Sequence, residues 1–286
     1  MTRLTNRDID QITNNLVEYN KRLIASTGRD LLEIACYCHG VDVELVKQRA
    51  ESFSVRAVPV TAGLGVITDF SDTVAAILSF LGISADVSFR SDVSGIASAI
   101  DDGVDGIFLA DDIKFIGFNC NNRKMVDNGE ATGRVYGGVM NLMATAGGHP
   151  DKDILVVGCG PVGRAAAEYL VKYGATATIT LADLEKQKAE QLLGYLRQHL
   201  DRWGRGAITI RLASNIEEEI DAHDHILDAT PDGCLIEDNL LTKDKRVAIP
   251  GVPPGISRDG FRLLGTRVIH DKLELGVAAM AVALLI

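Results

Sequence analysis

The sequence predicts an α/β protein in two parts, the second built on a doubly wound parallel sheet. Three observations predict it. From Ala57 onward short apolar runs alternate with segments of helical period, the rhythm of parallel strands joined by helical crossovers. One run, Asp153–Val157, leads directly into Gly158-Cys159-Gly160-Pro161-Val162-Gly163, which opens a helix. An apolar run, Leu275–Ile286, follows the second part; at roughly a dozen residues it falls short of the ~20 that span a bilayer and reads as a buried helix, with a tail anchor as the alternative. The fold expected is therefore a C-terminal Rossmann domain (150–272), preceded by a helical and α/β substrate domain (1–149). A C-terminal helix (273–286) returns to pack on the first domain.

Each element follows in order. Thr5–Ser26 carries Ile9, Ile12, Leu16 and Leu23 at helical spacing, with Thr5 and Asp8 resembling a capping box. Helices over Arg29–Cys38 and Asp42–Ser52 follow. Ala57–Val60 reads as a strand, Asp69–Leu81 as a helix, Ala85–Phe89 as a strand, Val93–Ile100 as a helix and Gly106–Ala110 as a strand. The Asn-rich stretch Asn119–Asn128 reads as a loop, and Val135–Thr145 as a helix. Gly147-Gly148-His149-Pro150 marks the domain boundary. Strands are predicted at Ile154–Val157, Ala177–Leu181, Ala207–Arg211, Ile226–Ala229, Val247–Ile249 and Arg267–Ile269. Helices fall at Pro161–Lys172, Glu185–Leu200 and Glu217–Ala222, the element count of a dinucleotide domain.

Composition narrows the function. A net charge of −10 without a basic run argues against nucleic acid. Five scattered cysteines do not form a disulfide framework, and a polar N-terminus has no apolar signal core; a cytoplasmic location is expected. Cys36-Tyr37-Cys38-His39 lacks zinc-site spacing, so no metal is expected. His223 and His225 flank a strand start and could face opposite sides. No nucleophile elbow and no P-loop is present.

The glycine turn carries the clearest chemistry. Gly158 permits the tight turn, Gly160 lets backbone approach a pyrophosphate, and Gly163 lets helix and strand pack closely. Pro161 and Val162 open the helix, whose N-terminus offers free N–H groups to phosphate. Asp183 lies about 20 residues beyond Gly163, where a carboxylate accepts from the adenosine 2′-hydroxyl and repels a 2′-phosphate. NAD is thus favoured over NADP; a βαβ unit that binds FAD, S-adenosylmethionine or nothing is the competing reading. Asp228-Ala229-Thr230-Pro231 and Ile249-Pro250-Gly251-Val252-Pro253 follow later strands, and Thr230, Pro231 and Pro250 are cofactor-side candidates, ordinary turn chemistry being the alternative.

In the first domain Val58-Pro59-Val60-Thr61-Ala62-Gly63-Leu64-Gly65, followed by Phe70-Ser71, can wrap a polar ligand or merely connect strand to helix. Asp111-Asp112 ends a strand; paired carboxylates can bind an ammonium group or take its proton, or stand in a solvated loop. Asp92-Val93-Ser94-Gly95 is a third polar strand-end turn, or a plain helix cap.

Taken together, these segments resemble the pyrrolysine synthase family over almost the whole chain. The resemblance is carried by Leu4-Thr5, Val58-Pro59-Val60-Thr61 with Gly63 and Gly65, Phe70-Ser71 and Asp92-Val93-Ser94-Gly95. It continues through Ala110-Asp111-Asp112, Leu155–Gly158, Ala229-Thr230-Pro231 and Pro250-Gly251. The chain departs from the family's pattern at Ala62 and Leu64, where more polar residues stand, at Glu274, where glycine does, and in a fuller Tyr195–Gly206 region. The resemblance implies an NAD-dependent oxidation of the terminal amine-bearing carbon of 3-methylornithinyl-N6-lysine, then ring closure with loss of water. It implies Asp112 first and Asp111 second at that amine, with Leu4, Thr61, Ala62, Gly63, Phe70 and Ser71 shaping the substrate pocket. The partner expected is this small-molecule amine, with neither nucleic acid nor membrane; a homodimer is left open. The rival readings are another two-domain amino-acid or shikimate-type dehydrogenase, and a non-catalytic NAD sensor.

Overall fold

A computed structural model describes residues 4–9, 11–64, 67, 69–146 and 153–286. The chain divides into two compact units. The first takes residues 1–21, 30–131 and 272–286, and the second residues 22–29 and 132–271. The expected boundary at residues 147–150 lies outside the described residues.

The first unit opens with α1 (Asn6–Ile9), α2 (Ile12–Thr27), α3 (Leu31–His39) and α4 (Val43–Ala50). The single helix expected over Thr5–Ser26 is thus broken, at Gln11, whose φ of 69° cannot continue a right-handed helix. Asp30 caps α3 through a full capping box with Glu33.

The unit's sheet holds β1 (Ser54–Val58), β2 (Ser84–Val87), β3 (Gly106–Ala110), β4 (Phe115–Asn119) and β5 (Met125–Asp127), in the order β2-β1-β3-β4-β5. The helices α5 (Phe70–Phe80) and α6 (Asp92–Asp101) make its crossovers. The first three strands are parallel, as expected, but β3-β4-β5 is an antiparallel meander, and the sheet is mixed. The asparagines of the 119–128 stretch concealed β5, since Asn119 closes the intervening turn by accepting from Asn121 and Asn122.

Burial explains the run at residues 274–285. Every residue of α12 (Glu274–Leu285) is buried, against α3, α5 and β4 of the same unit. Its terminal carbonyls are satisfied from that unit: Asn119 Nδ2 donates to Leu284 O at 2.9 Å and Arg49 donates to Leu285 O. Among the described residues no helix is long and apolar enough to cross a membrane.

The helix α7 (Asn128–Thr145) begins seven residues before the expected Val135, because Gly129, Gly133 and Gly137 weaken its helical signal. Two of these serve packing. A Cβ at Gly133 would overlap the carbonyl oxygen of Val162 in α8 (Pro161–Tyr173), and one at Gly137 would crowd that of Ala166.

The second unit's sheet holds β6 (Asp153–Val157), β7 (Thr178–Ala182), β8 (Thr209–Leu212), β9 (His225–Asp228), β10 (Arg246–Ile249) and β11 (Val268–His270). All are parallel, in the order β11-β10-β9-β6-β7-β8. Counted from β6, this is the 3-2-1-4-5-6 order of a Rossmann domain, as expected. The crossovers include α8, α9 (Lys186–His199), α10 (Ile216–Ala222) and α11 (Arg258–Leu264), the last unforeseen in the sequence. The central strand β6 is apolar on both faces because helices cover both.

Candidate functional site

In the second unit the residues expected on the cofactor side gather at the carboxyl edge of the sheet. Past Val157 the chain turns at Gly158, with φ 89°, a conformation L side chains rarely adopt. A Cβ there would also press on Ala229 and Thr230, so the loop after β9 lies directly against the turn. A Cβ on Gly163 would overlap the carbonyl oxygen of Gly158; this is the close packing of strand and helix.

Gly160 differs. Its backbone is extended (φ −69°, ψ −171°), and a Cβ there would meet nothing within 4 Å. The protein's own packing does not require glycine at 160, but a ligand lying on the backbone would. Pro161 occupies the first turn of α8, and the first intrahelical bond is Arg164 N to Gly160 O, at 2.8 Å. The N–H groups of Val162 and Gly163 precede it at the helix start, where no intrahelical carbonyl can accept from them.

Asp183 stands just after β7, held to the turn. Its Oδ2 accepts from Cys159 N at 2.7 Å and its Oδ1 from Glu185 N at 2.8 Å. Burial, with Asp183 beside it, pushes the Cys159 thiol up to about 12, so it is a filler rather than a nucleophile. After β9, Thr230 donates to Asp228 Oδ1 from its N–H (3.0 Å) and its hydroxyl (2.7 Å). Pro231 follows in an exposed loop, and Pro250 follows β10 at the same edge.

The two histidines are structural. His223 Nδ1 lies 2.7 Å from Glu219 O and its Nε2 3.1 Å from Thr180 Oγ1; His225 is buried in β9. Cys36 and Cys38 are buried on α3, and burial raises the Cys36 thiol to about 11. Among the described residues no group of three His, Cys, Asp or Glu side chains is placed to hold a metal.

In the first unit, loops at the carboxyl ends of β1, β2 and β3 are tied together by carboxylates. Thr61 donates to Asp92 from its N–H (2.8 Å) and its hydroxyl (2.6 Å). Leu64 N donates to Asp112 Oδ2 at 2.7 Å. Gly63, with φ 72°, lies under that carboxylate, and a Cβ on it would overlap Oδ2. The Thr61–Leu64 loop is therefore latched at one end by Asp92 and at the other by Asp112. Gly65 lies outside the described residues.

The two adjacent acids are employed differently. Asp111 Oδ1 accepts from Ile113 N (2.8 Å) and Lys114 N (2.7 Å), closing the β3–β4 turn. These N–H bonds, Lys114 first, hold its carboxyl below the usual range. Asp112 is half-buried and faces the loop. Phe70 packs edge-on against Phe115, ring centroids 5.3 Å apart, and Ser71 is buried beside it in sequence. Leu4 is half-buried ahead of α1, and Ala62 is exposed.

Sequence reasoning named the Asp92–Gly95 and Asp228–Pro231 turns but gave Asp92 and Asp228 themselves no role. Asp92 could be suspected from its place at the start of α6, but its φ of 55°, which turns it toward Thr61, is invisible in sequence.

The family model described as "Pyrrolysine biosynthesis protein PylD, N-terminal domain" matches residues 8–126. Among solved structures, quinate dehydrogenase from Corynebacterium glutamicum in complex with NAD is similar in fold, with TM-score 0.53 and 20% identity; the match covers 82% of this chain and 93% of that one. A shikimate dehydrogenase in complex with NADP+ matches at TM-score 0.53 and 17% identity, over 82% and 90%. At such identities the likeness is one of fold. The sequence likeness reaches further. The pyrrolysine synthase of Methanosarcina acetivorans is 29% identical over 290 residues, covering 100% of both chains. That of Methanosarcina barkeri is 30% identical over 290 residues, covering 100% of this chain and 98% of the relative. An identity of 30% over the full length of this chain means that the chain belongs to the pyrrolysine synthase family.

Proposed function

We propose that the chain oxidises the terminal amine-bearing carbon of 3-methylornithinyl-N6-lysine with NAD and so forms the pyrroline ring of pyrrolysine. The observation that carries this is the full-length likeness to pyrrolysine synthases, with a dinucleotide cradle intact within it. Residues 150–272 take the cofactor; residues 1–149 with 273–286 take the substrate. The shikimate-type alternative has a likeness of fold alone.

The residues fit the cofactor. Gly158, Gly160, Pro161, Val162 and Gly163 would hold the pyrophosphate, Asp183 the adenosine ribose, and Thr230, Pro231 and Pro250 the nicotinamide side. NAD, when bound, supplies a two-electron oxidant. The amine must lose its proton before its carbon is oxidised, since an alkyl ammonium with pKa ~10 has no lone pair to offer. Asp112 anchors the amine. Asp111, occupied by two N–H groups and held low, keeps the turn and adds negative charge rather than serving as a base. Leu4, Thr61, Ala62, Gly63, Phe70 and Ser71 shape the pocket and exclude water. In the substrate, water replaces ammonia at the oxidised carbon, and the other free amine of the ornithine part condenses with the resulting aldehyde, returning that water. Among the described residues the cysteines form no disulfide, which fits the reducing cytoplasm.

The test is direct. Purified protein with NAD and methylornithinyl-lysine should raise NADH absorbance and yield the cyclised product by mass spectrometry. Steady turnover of shikimate, quinate or ornithine instead, with none on the acylated lysine, would overturn the reading. A second expectation concerns the ribose: Asp183→Ala should raise the Kd for NAD about tenfold and that for NADP by less. Equal losses for both, by calorimetry, would remove Asp183 from the assignment.

A further inference from the structure

One buried group at the carboxyl edge of the second unit's sheet has no part in the reading above. Asp228, the last residue of β9, is fully buried. Its Oδ1 accepts both bonds from Thr230, while its Oδ2 has no partner in hydrogen-bond geometry. No other buried carboxylate oxygen among the described residues is so placed. Gly255 leaves it room, since a Cβ there would overlap Oδ2. Burial raises the carboxyl to about 6, against the opposing pull of the Thr230 bonds and of the Gly255 N–H, which lies near the carboxylate without reaching hydrogen-bond geometry to Oδ2. An asparagine could accept from Thr230 with no charge to desolvate, so a carboxylate left half-satisfied here calls for a functional reason.

Position supplies the reason. Asp228 is in register with Val157, the residue before the glycine turn. The crossover from β6 leads to β7 on one side, and β9 lies on the other, so Asp228 stands at the sheet's switch point, where this fold takes its dinucleotide. An oxidised nicotinamide ring is positively charged and a reduced one is neutral. We propose that Asp228 is a specificity-determining residue that makes this site favour the oxidised over the reduced nicotinamide cofactor. The inference rests on the NAD reading above and adds the sign of a charge to it. A site with this bias holds its oxidant firmly and its spent cofactor loosely.

The groups facing Asp228 are few. On β6 it meets Val157, the turn after β10 presents Gly255, and the loop after β9 presents Thr230 and the exposed Asp232. Asp232 is the charged group among them, and it raises the Asp228 carboxyl further.

Calorimetric titration of the full chain with NAD and with NADH, between pH 5 and 8, tests the proposal. At pH 7.5 Asp228→Asn should lower the NAD-over-NADH preference about tenfold, the scale of one charge pair at moderate effective dielectric. In the wild type the preference should fade as pH falls through about 6; in Asp228→Asn it should stay flat. The variant's fold is checked by its melting temperature. A carboxyl titrating higher in the folded state costs stability as pH rises toward and past 6, so the Asn variant should melt at or above the wild-type temperature at pH 7.5. If that variant does not fold, the wild-type pH series alone decides. An unchanged preference, or equal weakening of both cofactors, overturns the proposal. Failure of the wild type to bind either cofactor at any pH overturns the NAD reading itself, a distinct result.

Discussion

Gly160→Ala is expected to leave the melting temperature of the chain unchanged and to weaken NAD binding at least tenfold, whereas Gly163→Ala is expected to lose both. The two glycines stand three residues apart in one turn, and the structure separates their duties. At Gly160 the backbone is extended and a Cβ meets only open space, so the protein has no steric objection to alanine. The methyl group would instead occupy the ground over which a pyrophosphate approaches the backbone. At Gly163 a Cβ overlaps the carbonyl oxygen of Gly158, which is itself fixed by donating its N–H to Ala182 O at 2.8 Å. Backbone cannot yield there as a flexible side chain could, and a cost of about 1–3 kcal/mol is expected. Thermal unfolding with NAD titration on both variants checks the pair. A Gly160→Ala protein that binds NAD as well as the wild type would show that the cradle is not used.

Asp112→Asn should lower kcat/KM on the acylated lysine about a hundredfold without changing stability measurably. The carboxylate accepts the Leu64 N–H, a bond that an asparagine oxygen can also accept, so the loop should stay latched. What is lost is the charge, and with it a charge-assisted bond to an amine. Asp111→Asn, whose turn-closing bonds asparagine can likewise make, should remain within a few-fold of wild type. Steady-state kinetics on the two variants separates the roles. If Asp112→Asn turns over within a few-fold of wild type at unchanged KM, the amine-anchoring role is wrong.

The Rossmann unit was legible because its signals are local and redundant. An apolar strand, a glycine turn and an acid on the next strand lie within one short stretch, and each supports the others. The first unit was harder. Its parallel strands announced themselves, but β5 lay inside a run of asparagines that reads as loop, and α7 hid its first turns behind glycines that serve close packing against α8. The site showed the same division. Thr61, Asp112 and the glycine turn could be named from strand ends alone. The latch between Thr61 and Asp92 depends on a left-handed backbone at a residue that is not glycine, and the burial of Asp228 depends on strands distant in sequence. Neither property is local, so neither is written in a short motif.

The placement of α12 bears on how the protein is made. This helix fills the interior of the first unit, yet its residues are synthesised after the whole of the second. His39 meets Ala279 O at 3.0 Å across 240 positions of chain. On the ribosome the Rossmann unit can close its sheet while the first unit still lacks an inner helix. The first unit therefore waits, with apolar faces of α3 and α5 uncovered, until translation passes residue 285. Contacts of such long range form late and slowly. A chain halted short of Glu274 should expose those faces and engage chaperones, while its second unit is already native.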